Sequence, residues 1–536
     1  EITRSAARFA RAAAYEERQK LEETLTEAIR AQNFTKAVQG LAKKYHALYP
    51  YGELYEIYRA EQALAEQRIG AAIRCAEAAY HKRKMSAVVG ALLHRVYQAK
   101  GDYANDLRFM ALFDVPEPPR LPPSHTQLAQ CLRSMTAACT DTRFAPVVNQ
   151  VSLVGGTFSA RPCAVICEEL PRFSKKLPAY WAGIYNPYGQ MHVREQILTH
   201  VNAVTTTYDL TMYNHFTFDL VQAEETSKIQ LSPQKNTPVL IPISARKEMQ
   251  QVRFYNKQLD RVMMLSRGEF SFYRIDHPVT VCSNDSFIVG QPIALQHSPK
   301  RKKVVLNILA DGLSWQEMRR NHYALIPNMM RFFNKGVIFD NQFSTAEYTY
   351  PALASIETGI YQHKTQIAEP GKAFALDEAF VTVSEQMKRL GYYCVNIQGR
   401  SEGVYNGATR GYDRLIVNYW NMQAADGVER TIRHLDAFEE CDNFLFMHFS
   451  DTHPFNSDVA TPEQVQTHLG MEDLLQPQDM GASVFLKPNP LSQYVNREAI
   501  KEVDRQLGYL FDYITSHYED DEYIVLLYSD HGASVY

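Results

Sequence analysis

Three aspartates stand directly behind apolar, β-prone runs: Asp311 after VVLNILA, Asp451 after FLFMHFS, and Asp530, with His531 beside it, after YIVLLYS. Taken singly, each reads as a cap of a turn or helix, a place Asp fills well. Converging on one sheet edge, the group would offer hard oxygen ligands and an imidazole. That donor set suits Zn²⁺ or Mn²⁺ and is tolerable for Mg²⁺. Thr349 acquires meaning only beside such a set. It opens the run TYPALASIETGIY, and Pro351 two places on is a residue favoured in a first helical turn, so the Thr349 hydroxyl is expected at or near a helix N-terminus. A free threonine hydroxyl is a poor nucleophile. Coordination to a divalent cation would lower its pKa, and the helix dipole would favour an incoming anionic ester.

The elements that must position these residues begin at about residue 303. Short strand candidates KVVLNILAD, GVIFDNQFS, YYCVNIQG, NFLFMHFSD and EYIVLLYSD alternate with helical runs such as AFVTVSEQMKRLG and GVERTIRHLDAFEE. Continuous apolar strands alternating with helices predict a mostly parallel sheet covered on both faces. Sites in such sheets lie outside the carboxyl ends of the strands.

NILADG around Asp311, TYPALASIETGIY from Thr349 and LLYSDHG ending at Gly532 resemble, in order, the three core motifs of the alkaline phosphatase superfamily. That superfamily includes sulfatases, phosphodiesterases, and the phosphoglycerol and phosphoethanolamine transferases. The resemblance covers about 303–536. It implies a metal-dependent phosphoryl-ester transferase or hydrolase in which Asp311, Thr349, Asp530 and His531 hold a metal and Thr349 becomes covalently modified. Sulfatases place Cys or Ser where this chain has Thr349 and follow Pro with a Ser-x-Arg-like run; Ala352 and Leu353 stand there instead. Sulfate-ester hydrolysis is therefore the alternative, and a non-catalytic scaffold with a degenerate hydrolase-like domain is the alternative outside catalysis. FSDTHPF at 449–455 resembles the His-Pro segment of sulfatases and lipoteichoic-acid-synthase-like enzymes, making His453 a candidate to contact substrate or protonate the leaving group. Asp451 with His453 is the competing candidate pair for a second metal. GRSEGVYNGATRGYDRL resembles a loop of the transferase branch, which makes Arg400 and Arg410 candidate phosphate contacts. Superfamily members continue through further strands, whereas this chain ends at Tyr536, so a C-terminal part of the domain is expected beyond it.

Upstream, residues 1–114 are rich in Ala, Leu, Glu and Arg with apolar residues at helical spacing. Phe34, Ile69 and Tyr103 recur at intervals of 35 and 34 residues, a period resembling tetratricopeptide repeats, with a plain helical bundle as the alternative. Either is expected to be a scaffold or protein-partner surface. VPEPPRLPPS at 115–124 reads as an extended linker. Residues 125–300 read as a β-rich or α+β middle domain, with strands AVICEEL, AVTTTYDLTMY, FTFDLVQA, VLIPIS and FSFYRI. The fold class is thus multidomain: helical repeats, a β-rich or α+β middle, and an alkaline-phosphatase-like α/β domain over 301–536.

The whole chain, 536 residues with net charge −4, carries no basic excess, which argues against nucleic acid as the partner. The expected ligands are a phosphoester substrate and a glycan acceptor. Eight scattered cysteines show no paired CxxC spacing and read as reduced thiols. No run has the roughly 18–20 apolar residues a transmembrane helix needs, and the first residues lack a signal core, so a cytoplasmic location is expected. An extracytoplasmic one would follow if a targeting segment once preceded Glu1.

Overall fold

The computed structural model describes residues 2–143, 146–172, 175–186, 217–234, 237–368, 371–399, 403–418, 421–453, 463–474 and 490–532. The Ala- and Leu-rich start forms α1 (Ile2–Arg30), α2 (Lys36–Leu48), α3 (Leu54–Ala65), α4 (Ile69–Lys82), α5 (Ala87–Lys100), α6 (Tyr103–Leu112) and α7 (His125–Cys139). Short polar side chains fix several starts. Ser86, Asp102 and Ser124 accept from the backbone N–H of Val89, Asn105 and Gln127, satisfying donors that a first turn leaves unpaired. The helices α4 and α6 begin at Ile69 and Tyr103, and α2 begins at Lys36, two residues after Phe34. The tetratricopeptide likeness itself rests on sequence spacing.

One side of this helical layer is already occupied within the chain. Leu92, Val96 and Phe109 share a core with Tyr350, Ala354, Phe374 and Leu376, so the layer packs on the helix Thr349–Thr358 and the loop after it. The Phe113 ring stands edge-on to Phe374 with centroids 6.1 Å apart. Lys84 donates to the carbonyl of Ala375, and Lys372 donates to the Leu112 carbonyl at 2.7 Å and to Asp114 at 2.9 Å.

Strands β1 (Val147–Val154) and β2 (Thr157–Ala164) form a separate hairpin. The expected strand AVICEEL goes only as far as Ala164; beyond it, Glu169 makes an isolated bridge to Trp181. The run AVTTTYDLTMY lies outside the described residues. Strands β3 (Tyr180–Ile184), β4 (Thr217–Leu231), β5 (Val239–Ser244), β6 (Gln250–Tyr255), β7 (Asp260–Leu265), β8 (Ser271–Ile275), β9 (Val279–Gly290) and β10 (Ile293–Ala294) pair antiparallel. They do not form a sheet of their own. The strand β13 (Arg414–Asn418) pairs antiparallel with β4, so one 13-stranded mixed sheet crosses the boundary expected near residue 300.

The C-terminal half of that sheet is parallel, in the order β13, β12 (Tyr393–Gly399), β14 (Asn443–Phe449), β11 (Val304–Ala310) and β15 (Tyr523–Tyr528). Every residue of β12, β13 and β14 is buried, as expected of strands covered on both faces. Period-two alternation divides the cover. Val304, Leu306 and Ile308 face a core with Val428, Leu435, Val503 and Leu507 of the helices Ala424–Ala437 and Pro490–His517. Leu309, Phe444 and Phe446 face the opposite core with Leu353 of the helix Thr349–Thr358.

The helix Val383–Arg389 starts with a capping box in which Thr382 and Glu385 each bond the other's backbone N–H. GVIFDNQFS departs from expectation. No strand forms there, and Val337 and Phe343 are 73% and 82% exposed. β-branched and aromatic residues make a strand only where a neighbouring edge supplies hydrogen bonds, and none of the described strands pairs with this segment. All eight cysteines are free thiols. Among the described residues no helix is long and apolar enough to cross a membrane.

Candidate active site

The parallel register brings the carboxyl ends of β11, β14 and β15 together. Asp311 follows β11, and its N–H donates to the Phe449 carbonyl at the end of β14 at 3.0 Å. The Thr452 hydroxyl returns a bond to the Asp311 carbonyl at 2.7 Å, tying the two strand ends. Asp530 and His531 follow β15. Thr349 arrives from elsewhere, as the first residue of a ten-residue helix whose preceding residue, Tyr348, offers no side-chain cap. Gly359 ends that helix with φ 68°, a left-handed conformation that costs glycine least, and its N–H donates to the Ser355 carbonyl at 2.8 Å.

The Thr349 hydroxyl donates to Asp311 Oδ2 at 3.4 Å and lies 3.2 Å from His531 Nε2. Asp311 Oδ1 and Asp530 Oδ2 are buried carboxylate oxygens with no hydrogen-bond donor among the described residues. Both face His531 Nε2, at 3.3 and 3.4 Å. The other oxygen of each carboxylate is engaged: Gly312 N–H donates to Asp530 Oδ1 at 3.3 Å, and His448 Nε2 sits 3.3 Å from Asp311 Oδ2. His453 completes the group, with one ring nitrogen within 4.8 Å of ligand atoms of both Asp311 and His531, and with its ring edge-on to that of His531.

Electrostatically the cluster is uneven. Burial would raise the Asp311 carboxyl, but the imidazoles of His448 and His531 outweigh it and hold Asp311 well below the usual range. Burial, helped by the charge of Asp311, pushes Asp530 up. Burial would lower His531, yet Asp311 and Asp530 outweigh it and raise it to about 9. Two buried carboxylates with an oxygen each left over form a site that a cation would neutralise, and the donor set of oxygens with an imidazole fits a divalent metal ion.

The remaining expected residues fare differently. Asp451 accepts from the Ala424 N–H at 2.7 Å, capping the start of the helix Ala424–Ala437, while His453 lies with Asp311 and His531; among the described residues Asp451 is in no group of potential metal ligands. Burial pushes Asp451 up to about 6. Arg410 is 4% exposed, and its guanidinium donates to the carbonyls of Leu376, Asp377 and Phe380. Those bonds brace its loop. The adjacent Gly411 explains why the loop is so close: its φ is 94°, and a Cβ there would lie 2.1 Å from the Glu385 nitrogen. Arg400 lies outside the described residues. His448 was missed by sequence reasoning. Its signal was the alternation Phe444, Phe446, His448, which puts the third residue on the Thr349 side of the sheet at the strand's carboxyl end.

Residues 303–536 match the family model described as Sulfatase. No curated protein matches the chain. Similar solved structures include a protein in the alkaline phosphatase superfamily from Vibrio parahaemolyticus, at 17% identity and TM-score 0.31, covering 44% of this chain and 56% of that one. The phosphonate monoester hydrolase SpPMH from Silicibacter pomeroyi matches at 15% identity and TM-score 0.34, covering 43% and 63%. Lipoteichoic acid synthase LtaP from Listeria monocytogenes matches at 14% identity and TM-score 0.30, covering 43% and 56%. The chain thus spans less than two thirds of the length of each of these three structures. The family match spans residues 303–536, the same stretch that carries the motifs around Asp311, Thr349 and His531.

Proposed function

We propose that this domain transfers or hydrolyses a phosphoryl ester, with Thr349 as nucleophile and with Asp311, Thr349, Asp530 and His531 as the residues that hold a divalent cation. The observation that carries the reading is the pair of unbonded, buried oxygens, Asp311 Oδ1 and Asp530 Oδ2, facing His531 Nε2 next to the Thr349 hydroxyl. When bound, the cation supplies Lewis acidity to the threonine oxygen and to the charged oxygens of the ester.

The chain's own residues account for the rest. Thr349 Oγ1, having released its proton to solvent, attacks phosphorus in line, the bond from phosphorus to the leaving oxygen breaks, and the electron pair departs with that oxygen. His453 delivers a proton to it. The positive end of the Thr349 helix favours the charge gained by the equatorial oxygens. A second hydroxyl then attacks the phosphothreonine, gives its proton to His453 and frees Thr349. Water as that second hydroxyl makes the enzyme a hydrolase, and a sugar hydroxyl makes it a transferase that decorates a glycan. The helical layer, packed on the Thr349 helix along one side, leaves its remaining surface for a protein partner.

The test is turnover of an aryl phosphodiester and an aryl sulfate by the full chain, stripped with chelator and then supplied with Mn²⁺ or Zn²⁺. Metal-restored phosphodiester cleavage that Thr349→Ala loses is the expected result. Cleavage of the sulfate alone would establish a sulfatase, and absence of both metal binding and turnover would leave a scaffold.

A further inference from the structure

Each of the two buried carboxylates divides its oxygens in the same way: one accepts from a donor of the fold, and the other is left over facing His531 Nε2. For Asp530 the outer donor is the backbone N–H of Gly312. For Asp311 it is a side chain, His448, whose Nε2 lies 3.3 Å from Oδ2. A carboxylate on a freely turning χ2 presents either oxygen or both; held through one oxygen, it presents the other in a fixed direction. We propose that His448 is the positioning residue of Asp311, donating from Nε2 to Oδ2 so that Oδ1 is aimed at the cation position. The inference rests on the metal-binding reading above and adds a residue to it.

The surroundings suit the task. His448 is 3% exposed and is carried by β14, where it pairs in register with Leu309 on β11 and with Gln398 on β12, so two neighbouring strands fix its backbone. Its ring stands edge-on to Phe446 at 6.4 Å between centroids. A donor on the central strand of a sheet is stiffer than one on a loop, and metal sites need that stiffness. The Thr349 hydroxyl also reaches Asp311 Oδ2, at 3.4 Å, so His448 and Thr349 converge on the same oxygen. By fixing this oxygen, His448 also fixes the carboxylate acceptor of the nucleophile.

The experiment is calorimetric titration of Mn²⁺ alone into chelator-stripped full-length protein, comparing wild type with His448→Gln and His448→Phe, and with Asp311→Asn as the ligand control. Glutamine keeps an N–H donor near the position of Nε2 but loses the ring. Phenylalanine keeps the ring and loses the donor. Positioning predicts that His448→Phe weakens Mn²⁺ binding about 10–100-fold while His448→Gln stays close to wild type. Thermal unfolding of the apo proteins reads packing separately, and a purely structural role predicts the reverse order, with phenylalanine tolerated and glutamine harmful. Wild-type affinity in both variants overturns the role of His448 and leaves the metal site standing. Equal loss in both overturns it as well, because the donor would not be what matters. No Mn²⁺ binding by wild type overturns the metal reading, and the inference falls with it.

Discussion

The hydroxyl of Thr349 lies 3.2 Å from Nε2 of His531, although 182 positions separate them in the chain. Neither residue reaches this place by local structure. Thr349 is carried by a helix seated between the helical layer, through Tyr350 and Ala354, and the sheet, through Leu353. His531 is delivered by β15, whose parallel pairing with β11 sets its end beside Asp311.

If Thr349 is the nucleophile, Thr349→Ala lowers turnover of a phosphodiester by roughly 10⁴-fold or more. Thr349→Ser, which keeps the oxygen, retains a measurable part of it. Intact-mass measurement of rapidly quenched reactions should find a phosphoryl adduct on wild type and none on the alanine variant.

His453→Gln tests proton delivery. Loss of a general acid costs about 10²–10⁴-fold for esters with poor leaving groups and much less for nitrophenyl esters, which leave without help. A uniform loss across a leaving-group series would assign His453 to binding instead.

Glu357 gives a pH dependence removed from the metal cluster. It is buried, accepting from Tyr412 Oη at 2.6 Å and Ser384 Oγ at 2.9 Å, and burial pushes it up to about 7 from an ordinary 4.5. A raised carboxyl binds its proton more tightly in the folded state, so its contribution to stability is complete below about pH 4.5 and is lost as pH rises through about 7. Across that window the term amounts to about 3 kcal/mol. The difference between wild-type and Glu357→Gln denaturation curves should therefore change by about that much between pH 4 and 8, with wild type losing ground as pH rises.

Arg410→Ala separates a brace from a substrate contact. Removing the guanidinium strands the carbonyls of Leu376, Asp377 and Phe380 and should cost about 3 kcal/mol of stability. KM for the phosphodiester should stay unchanged in protein that remains folded; a selective rise in KM would restore Arg410 to the substrate pocket.

The sequence by itself determined the alternation of buried strands and helices after residue 303, the aspartates at strand ends and the helix that starts at Thr349, because these follow from local periodicity and helix-end chemistry. VLIPIS became β5 with the same bounds, residues 239–244. GVIFDNQFS shows the limit of such reasoning: strand propensity is local, whereas a strand requires a partner edge that residues distant in sequence must supply. The same limit hid His448, whose type was visible but whose meaning comes from lying 3.3 Å from Asp311, 137 positions away. Nor does sequence show the surroundings of Arg410 and Asp451, whose charges read alike whether they meet a substrate, a carbonyl or a helix start. Only tertiary structure decided that the helical layer packs on the Thr349 helix and that the antiparallel strands extend the parallel sheet through β4 and β13, since both depend on which apolar faces and strand edges meet across long stretches of chain.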